Sequence, residues 1–217
     1  MKTGIFFAAK PEAAALLGSG FFGWKKDGNG FYKSEKTDTL LCISGVGAEK
    51  AVQAFSAMAQ NCDKIFILGT CAALTPQLPV FTFCLPTLGV TSEKNAEVFM
   101  PDNALCEKLE KALSALKIDY KTNMRLVTAE KLIASKEYAE KLKCETDALI
   151  ADMESAAILQ ISAQYSVPVA ILRAVSDNPA AGISPLDVGS DSSPNKWLEN
   201  TAKISTQFPA IVKLLVS

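Results

Sequence analysis

The chain has 217 residues, 49% of them hydrophobic and 21% charged, so it is long and apolar enough to bury a sizeable core in one domain. Its net charge of −1 argues against nucleic acid or an anionic membrane surface as the main partner. The sequence contains no histidine, which excludes Ser-His-Asp and Cys-His catalysis and histidine-ligated metal sites, so acid–base chemistry must use carboxylates, Lys, Tyr, Cys or water.

The sequence also predicts the compartment. No apolar run reaches the roughly 20 residues that span a bilayer, and the first apolar run ends at Lys10-Pro11, too early for a secretory signal. Six cysteines lie in apolar surroundings without a Cys-x-x-Cys pair, at positions 42, 62, 71, 84, 106 and 144. We therefore expect a cytoplasmic protein with reduced, mostly buried thiols, without a membrane partner, a metal or a cofactor.

The predicted elements begin with a strand and a helix. Residues 2–8 form an apolar run, and Pro11 follows at a position that suits the first turn of a helix, with Glu12 beside it. Two glycines end that short helix. Residues 21–32 then predict a β-hairpin.

Two further apolar strands are each followed by small residues. Residues 40–44 lead into Gly45-Val46-Gly47 and a helix over 48–60. Residues 64–68 lead into Gly69-Thr70-Cys71-Ala72-Ala73, which we expect to be a turn. Backbone N–H groups at such turns are free to face a polar ligand.

The second half of the chain continues with alternating elements and no repeat or linker, so we predict one domain over residues 1–217. The last helix is expected to be capped by Ser193-Pro194 and to be kinked or broken near Pro209. The other predicted elements are short strands with bends over 77–88, a helix over 105–116, a strand over 124–128 and a helix over 135–143.

The segment 148–177 has the most informative pattern, which predicts a strand, a helix and a strand. A short apolar run meets an acidic patch at Asp152 and Glu154, and the helix that follows has Met153 on its apolar face. The second strand is apolar throughout, as in a parallel sheet covered on both faces, and stops at Ser176-Asp177.

This pattern predicts a ligand site. Two parallel strands joined by a helix end at the same edge of a sheet, where open α/β sheets bind ligands. We therefore expect Glu154 and Asp177 on one edge, together with Glu12 and the two small-residue turns. Each acid also has a structural interpretation: Glu12 and Glu154 suit the first turn of a helix, and Asp177 suits an Asx turn.

Two other motifs carry less information. Gly45-Val46-Gly47 lacks the full Gly-x-Gly-x-x-Gly pattern, which argues against a dinucleotide-binding fold. Cys71 has no histidine and no obvious cation beside it, so we interpret it as an unreactive core residue.

Five segments, in the right order and spacing, resemble successive motifs of the nucleoside phosphorylase and nucleosidase superfamily. They read KTGIFFAAKPEAAALL, CISGVGAEKAVQAF, ILGTCAALTP, ADMESAAI and VPVAILRAVSD. The most similar branch is that of the 5′-methylthioadenosine/S-adenosylhomocysteine nucleosidases and their futalosine- and adenosylhopane-cleaving relatives. The resemblance runs from Lys2 to about Pro179 and implies an α/β fold, a three-layer α/β/α domain around a central twisted mixed sheet.

The resemblance implies two catalytic residues. Glu12 matches the family carboxylate that activates the attacking water, and Asp177 matches the general acid that protonates purine N7, with Ser176 and Arg173 supporting it. Cleavage of an N-glycosidic bond passes through an oxocarbenium-like state. Because protonation of a ring nitrogen makes the purine a better leaving group, a carboxyl kept neutral by burial suits this chemistry.

The resemblance also implies a binding site for a nucleoside. Glu154 matches the acceptor of the ribose hydroxyl hydrogen bonds, and Met153 matches the methionine beneath the sugar. Thr70 matches the family's small hydroxyl residue, while Leu132 and Ile133 fall where the family holds the base. The implied assembly is a homodimer.

Water is favoured over phosphate as the nucleophile. Phosphorylases hold phosphate with arginines, and this chain has only Arg125 and Arg173, neither in the family's phosphate-binding segments. We therefore predict a hydrolase that cleaves the N-glycosidic bond of a purine nucleoside, of the 5′-methylthioadenosine/S-adenosylhomocysteine or futalosine type. The alternatives are a nucleoside phosphorylase and a non-catalytic nucleoside-binding protein on the same fold.

The chain departs from the family pattern at three places. Ala72 and Ala73 stand where the nucleosidases have glycines, and Leu132 stands where an aromatic usually lies beside the base. The connection over residues 91–103 is shorter than in typical methylthioadenosine nucleosidases. That shorter connection modestly favours a larger nucleoside as the substrate.

Overall fold

The computed structural model describes residues 1–92, 97–189 and 194–217. The strands are β1 (Thr3–Phe7), β2 (Trp24–Lys26), β3 (Tyr32–Ser34), β4 (Thr39–Ile43), β5 (Lys64–Ala73), β6 (Phe83–Thr91), β7 (Val98–Phe99), β8 (Tyr120–Thr128), β9 (Ile150–Asp152) and β10 (Val169–Asp177). The helices are α1 (Lys10–Leu17), α2 (Ala48–Ala59), α3 (Asn103–Ala115), α4 (Lys136–Thr146), α5 (Ser155–Tyr165), α6 (Lys196–Ser205) and α7 (Phe208–Val216). Within these residues, no helix has the length and hydropathy needed to cross a membrane.

The strands form one mixed sheet. β1 lies between β4 and β5 and runs parallel to both. The hairpin of β2 and β3 extends the sheet beyond β4 with antiparallel pairs. On the other side, β5 pairs parallel with β10 and antiparallel with β9, and these continue through β6 and β8. The five strands β5, β10, β6, β8 and β9 therefore close into a ring.

Helices cover both faces of this sheet. Phe55 and Met58 of α2 and Ile158 of α5 pack in one hydrophobic cluster. The other large cluster contains residues of α1, α3, α6 and α7, including Phe208. The long central strand β5 is buried over its whole length because it lies between these layers. The predicted α/β fold with a central mixed sheet is confirmed.

The predicted direction of β9 is wrong. β9 pairs antiparallel with β5 through Ala72↔Ala151, whereas β10 pairs parallel with the same strand. β5 lies between β9 and β10, so α5 connects two strands that run in opposite directions. Their acidic ends therefore do not lie on one common edge, and a different geometry brings them together.

The small-residue segment at 69–73 is also not the predicted turn, since it continues β5. β10 and β9 flank this part of β5 and pair with its backbone, which keeps it extended. A run of small residues resembles a turn in sequence. Here small side chains are needed instead because the strand passes through a crowded interior.

Several element boundaries differ from the prediction. α5 begins at Ser155, so Met153 lies in the turn before the helix rather than on its face. Ser193 lies outside the described residues, and the N-cap of α6 is Asn195, whose side chain accepts a hydrogen bond from the N–H of Leu198. The predicted break near Pro209 is present, since Pro209 lies in the first turn of α7.

Candidate active site

A cavity of about 240 Å³ opens where the ends of β1, β9 and β10 converge on the carboxyl-terminal half of β5. Eight of the nine site residues predicted from the sequence line this cavity, and Arg173 does not. Those eight are Glu12, Thr70, Leu132, Ile133, Met153, Glu154, Ser176 and Asp177. The convergence arises from the antiparallel β9, which carries its carboxyl end back toward the middle of β5.

Glu12 is a buried carboxylate with three hydrogen-bond donors. The N–H of Ala9 donates to its Oε2 at 2.9 Å, and the N–H of Thr70 donates to its Oε1 at 2.7 Å. The Thr70 hydroxyl lies 2.8 Å from the same Oε1. One bond reaches back to its own helix start, as in a capping box, but two reach across to β5. Glu12 is therefore held in place by tertiary contacts as well as by its helix.

Gly69 makes room for this carboxylate. A Cβ at position 69 would overlap Nη1 of Arg173 and lie 2.7 Å from Oε1 of Glu12. Only a residue without a side chain fits between these two groups. The requirement for small residues in β5 thus comes from the site itself.

Arg173 lies behind the carboxylates, and its predicted support of Asp177 is wrong. Its guanidinium pairs with Oδ2 of Asp152 at 2.7 Å and with Oε2 of Glu154 at 3.7 Å, and it donates to the Ser155 hydroxyl. It is 1% exposed, so a ligand in the cavity does not reach it directly. Arg173 instead neutralises the buried acids at the start of α5.

Asp152 belongs to the site although the sequence analysis assigned it no role. Its carboxylate accepts hydrogen bonds from the Thr128 hydroxyl and from the N–H groups of Glu154 and Ser155, besides its pairing with Arg173. It thereby fixes the turn between β9 and α5. The acidic patch in the sequence was the only signal for it.

Glu154 points away from its own helix. Its side chain makes no capping bond to α5, and its Oε1 accepts from the N–H of Gly47 at 2.9 Å. Burial raises the pKa of Glu154 to about 7, and the neighbouring Asp152 adds to this, while Arg173 and the Gly47 N–H oppose it. The first-turn interpretation therefore does not describe this residue.

Asp177 is a buried carboxyl, and among the described residues its side chain accepts a hydrogen bond from the Ser176 hydroxyl. Burial raises its pKa to about 7, against the opposing effect of the Ser176 hydroxyl, which donates to its Oδ1 at 2.6 Å. The Asx-turn role belongs to the next residue, since the Asn178 side chain accepts from Ala181 and donates to the Thr75 and Leu78 carbonyls. Asp177 is thus available to a ligand in the cavity.

Apolar side chains form the rest of the wall. Leu132 is 47% exposed at the opening, whereas Ile133 is buried. Sequence reasoning missed further lining residues, which come from loops and from the start of α6: Val46, Pro185, Leu186, Asn195 and Trp197. The large exposed fraction of Val46 and Leu186 indicates an open apolar mouth.

Cys71 also lines the cavity. Burial raises the pKa of its thiol well above the ordinary value, and the nearby Cys84 adds to this. A thiol that stays protonated is a poor nucleophile. Within the described residues, no group of three or more His, Cys, Asp or Glu side chains is arranged to hold a metal ion.

Comparison with known proteins finds one superfamily model and several relatives that are similar to this chain. Residues 23–217 match the model of the phosphorylase superfamily. An aminodeoxyfutalosine nucleosidase of Helicobacter pylori is 24% identical over 95% of each chain. A 5′-methylthioadenosine/S-adenosylhomocysteine nucleosidase of Shewanella denitrificans is 36% identical over 93 residues, which are 42% of this chain and 40% of that one.

A solved structure shows the same fold. A variant of the Helicobacter pylori methylthioadenosine nucleosidase, with 5′-methylthioadenosine in its active site, superposes with a TM-score of 0.83 at 18% identity. The superposition covers 98% of this chain and 96% of the other. The fold predicted from the sequence motifs is the fold of that structure.

Proposed function

The chain belongs to the phosphorylase superfamily, whose model matches residues 23–217, and from this premise we propose that it hydrolyses the N-glycosidic bond of a purine nucleoside and releases the base. The resemblance predicted from the sequence is confirmed, and its named relatives are nucleosidases, in agreement with the predicted activity. The observation that carries the proposal is the pairing in one cavity of Asp177, whose pKa is raised to about 7, with the three-donor carboxylate Glu12.

Asp177 is the general acid of the proposed reaction. Because its pKa is about 7, a large fraction of it, about half, is protonated at neutral pH and can donate its proton to N7 of the purine. The bond between C1′ and N9 then breaks with its electron pair moving into the purine ring, and the sugar acquires oxocarbenium character. The Ser176 hydroxyl orients the acid through its bond to Oδ1.

Glu12 acts on the attacking water. Its three donors fix the carboxylate, so one oxygen lone pair is directed to a water that approaches C1′. The water oxygen forms the new bond to C1′ and its proton passes to Glu12. Exchange with solvent then returns the proton to Asp177, which restores the starting state.

Glu154 binds the ribose. A carboxylate that accepts hydrogen bonds from the 2′- and 3′-hydroxyls gains strength as the ring becomes cationic and the hydroxyls become more acidic. Arg173 and the Gly47 N–H favour its ionised form, and the bound hydroxyls favour it further. Met153 lies beside Glu154 in the cavity wall and packs beneath the sugar, while Leu132 and Ile133 contact the base.

Water rather than phosphate is the proposed nucleophile. None of the cavity-lining residues that the structure describes is Lys or Arg. Arg125 donates to the carbonyl of Thr146, and Arg173 is paired with buried acids. A phosphate dianion in this cavity would therefore face carboxylates without a compensating cation.

The substrate class follows from the relatives. We propose a 5′-substituted adenosine or a futalosine-type nucleoside, since these are the compounds after which the relatives are named. We also propose that the protein is a single domain that acts in the cytoplasm as a homodimer. Light scattering after gel filtration measures the dimer directly.

Chromatography of released base tests the activity. Purified protein is incubated with adenosine, 5′-methylthioadenosine, S-adenosylhomocysteine and aminodeoxyfutalosine, with and without phosphate. We expect release of base from at least one compound at a rate that phosphate does not change. A requirement for phosphate would establish a phosphorylase, and binding without any product would establish a non-catalytic nucleoside-binding protein.

A further inference from the structure

Helix α6 makes one polar contact on each side of the cavity. Nε1 of Trp197 lies 3.3 Å from the Thr70 hydroxyl, which in turn lies 2.8 Å from Oε1 of Glu12. Three residues further along the same face, Nδ2 of Asn200 donates to the Ser176 carbonyl at 2.7 Å. One helix thus reaches the supports of both proposed catalytic carboxyls.

The direction of the first chain of bonds is set by chemistry. An indole N–H only donates, so the Thr70 oxygen accepts from Trp197. A hydroxyl has one hydrogen, and with its oxygen accepting from the indole, that hydrogen is directed to the Glu12 carboxylate. Without Trp197 the Thr70 hydroxyl loses the partner that fixes its rotation.

The second contact supplies a hydrogen-bond donor to a carbonyl at an irregular point in the pairing of β10 with β5. The pairing of β10 with β5 shifts between Val175 and Asp177, so Ser176 has no ladder partner. A buried carbonyl without a partner is costly, and the 7% exposed Asn200 supplies the missing donor. The same residue, Ser176, carries the hydroxyl that donates to Asp177.

We propose that α6 is a positioning element for the reaction, in which Trp197 directs the Thr70 hydroxyl to Glu12 and Asn200 fixes the Ser176 peptide that orients Asp177. The proposal rests on the nucleosidase function above. Trp197 and Asn200 act through other residues and are positioning residues rather than catalytic ones. α6 therefore positions both Glu12, which acts on the water, and Asp177, which protonates the leaving base.

A double-mutant cycle tests the Trp197 branch. Trp197→Phe keeps an aromatic ring in the wall but removes the N–H, and we expect kcat to fall about 5- to 10-fold, the effect of one hydrogen bond, with KM within about twofold of wild type. In a Thr70→Val background, the same change is expected to have no further effect. In a Thr70→Ser background, which keeps the hydroxyl, the loss is expected to persist.

The chain contains a matched control for this change. Its other tryptophan, Trp24, donates its indole N–H to the Leu16 carbonyl at 2.9 Å and lies outside the cavity lining. Trp24→Phe removes an equivalent hydrogen bond and should leave kcat unchanged. Equal losses in Trp197→Phe with and without the Thr70 hydroxyl would overturn the Trp197 branch, because they would show a packing role.

A second pair of variants tests the Asn200 branch. Asn200→Leu keeps the side-chain size but removes the donor. Thr201→Val is the matched change, since it removes a neighbouring buried hydroxyl that has no hydrogen-bond partner within the part of the chain that the structure describes. Because a less well held Ser176 hydroxyl opposes the raised pKa of Asp177 less, we expect Asn200→Leu to lower kcat and move the alkaline limb of the pH profile upward. A kcat and a pH profile unchanged in Asn200→Leu would overturn this branch.

An NMR readout keeps the inference separate from the activity. With two tryptophans in the chain, ¹⁵N-labelled protein gives two indole signals, which Trp24→Phe and Trp197→Phe assign. We expect Thr70→Val to shift the Trp197 signal and to speed its exchange with water, while the Trp24 signal stays in place. An unmoved Trp197 signal would contradict the contact even in an active enzyme, whereas absence of base release alone would contradict only the proposed function.

Discussion

The three functional carboxyls of the cavity have different surroundings. Glu12 has three donors, two of them from β5. Glu154 has one N–H donor and lies 3.7 Å from Arg173. For Asp177, the Ser176 hydroxyl is the group among the described residues that opposes the effect of burial on its pKa. Burial raises the pKa of both Asp177 and Glu154 to about 7, but Arg173 and the Gly47 N–H favour the ionised form of Glu154, whereas no such cation among the described residues acts on Asp177. Different surroundings can thus assign different roles to similar side chains.

Replacement of Asp177 tests the assignment of the acid. Asp177→Asn keeps the shape and the acceptor for the Ser176 hydroxyl but cannot donate an acidic proton. We expect kcat to fall by roughly 10²–10⁴-fold, the usual contribution of a general acid, with little change in nucleoside binding. Exposed Asp119→Asn is the control and should be fully active. Undiminished base release by Asp177→Asn would remove this residue from the mechanism.

The raised pKa of Asp177 also predicts how the stability of the protein depends on pH. The unfolded Asp has a pKa near 3.8 and the folded Asp177 about 7, so the folded state holds the extra proton between these values. Stability therefore falls as pH rises from about 4 through about 7, by on the order of 4 kcal/mol at most. We expect the stability of Asp177→Asn relative to wild type to increase as the pH rises from about 4 through about 7, so that the advantage of the variant is largest at pH 8.

Thermal unfolding across this pH range measures the difference. A smaller slope in the same direction should remain in Asp177→Asn, because the pKa of Glu154 is also raised to about 7. Wild type gaining stability relative to the variant as pH rises would contradict the raised pKa of Asp177.

At the scale of elements, the fit of β5 against its neighbours depends on Gly69. It passes between Arg173 and Glu12 at Gly69, where a Cβ would overlap one and press on the other. We expect Gly69→Ala to cost about 1–3 kcal/mol of stability, as overpacking does, and to displace Glu12 and lower kcat. Gly20→Ala is the control for calorimetry and activity, because a Cβ added at Gly20 would have no atom within 4 Å to clash with. Full activity and stability of Gly69→Ala would contradict this account.

The positions of some site residues were predictable from the local sequence, whereas the direction of one strand was not. Glu12 and Asp177 lie at or just after the ends of buried strands, and a local pattern was sufficient to predict that position although it left their roles open. The direction of β9 was not predictable in this way, because it depends on β5 lying between β9 and β10. The contact of Trp197 was not predictable from a local pattern either, since only the packing of α6 beside β5 brings its indole to Thr70.

At the scale of the molecule, closure of the sheet explains how the site is assembled. Near its carboxyl end, at Ala72, β5 pairs with β9 on one side and with β10 on the other, and the ring of β5, β10, β6, β8 and β9 surrounds a buried interior. Arg173 on β10 crosses this region to Asp152 at the end of β9. The ion pair therefore links two strands that do not pair with each other in the sheet. Removal of one partner of such a buried pair costs about 3–5 kcal/mol of stability.

The charge of the cavity predicts discrimination against anionic substrates. Four lining residues are acidic, and none of the described lining residues is Lys or Arg. We expect kcat/KM for adenosine 5′-monophosphate to be at least about 100-fold lower than for 5′-methylthioadenosine, because the phosphate enters a field of its own sign. Added salt should narrow this ratio by screening.

A charge added at the mouth tests the origin of that discrimination. Leu186 is 62% exposed at the opening of the cavity, so Leu186→Lys places a cation where a 5′-phosphate would pass. We expect this variant to raise the relative kcat/KM for the monophosphate several-fold. Leu214→Lys, at an exposed position outside the cavity lining, gives the whole molecule the same net charge and should leave the ratio unchanged. Equal effects of the two variants would show that net charge rather than the local field of the cavity excludes anions.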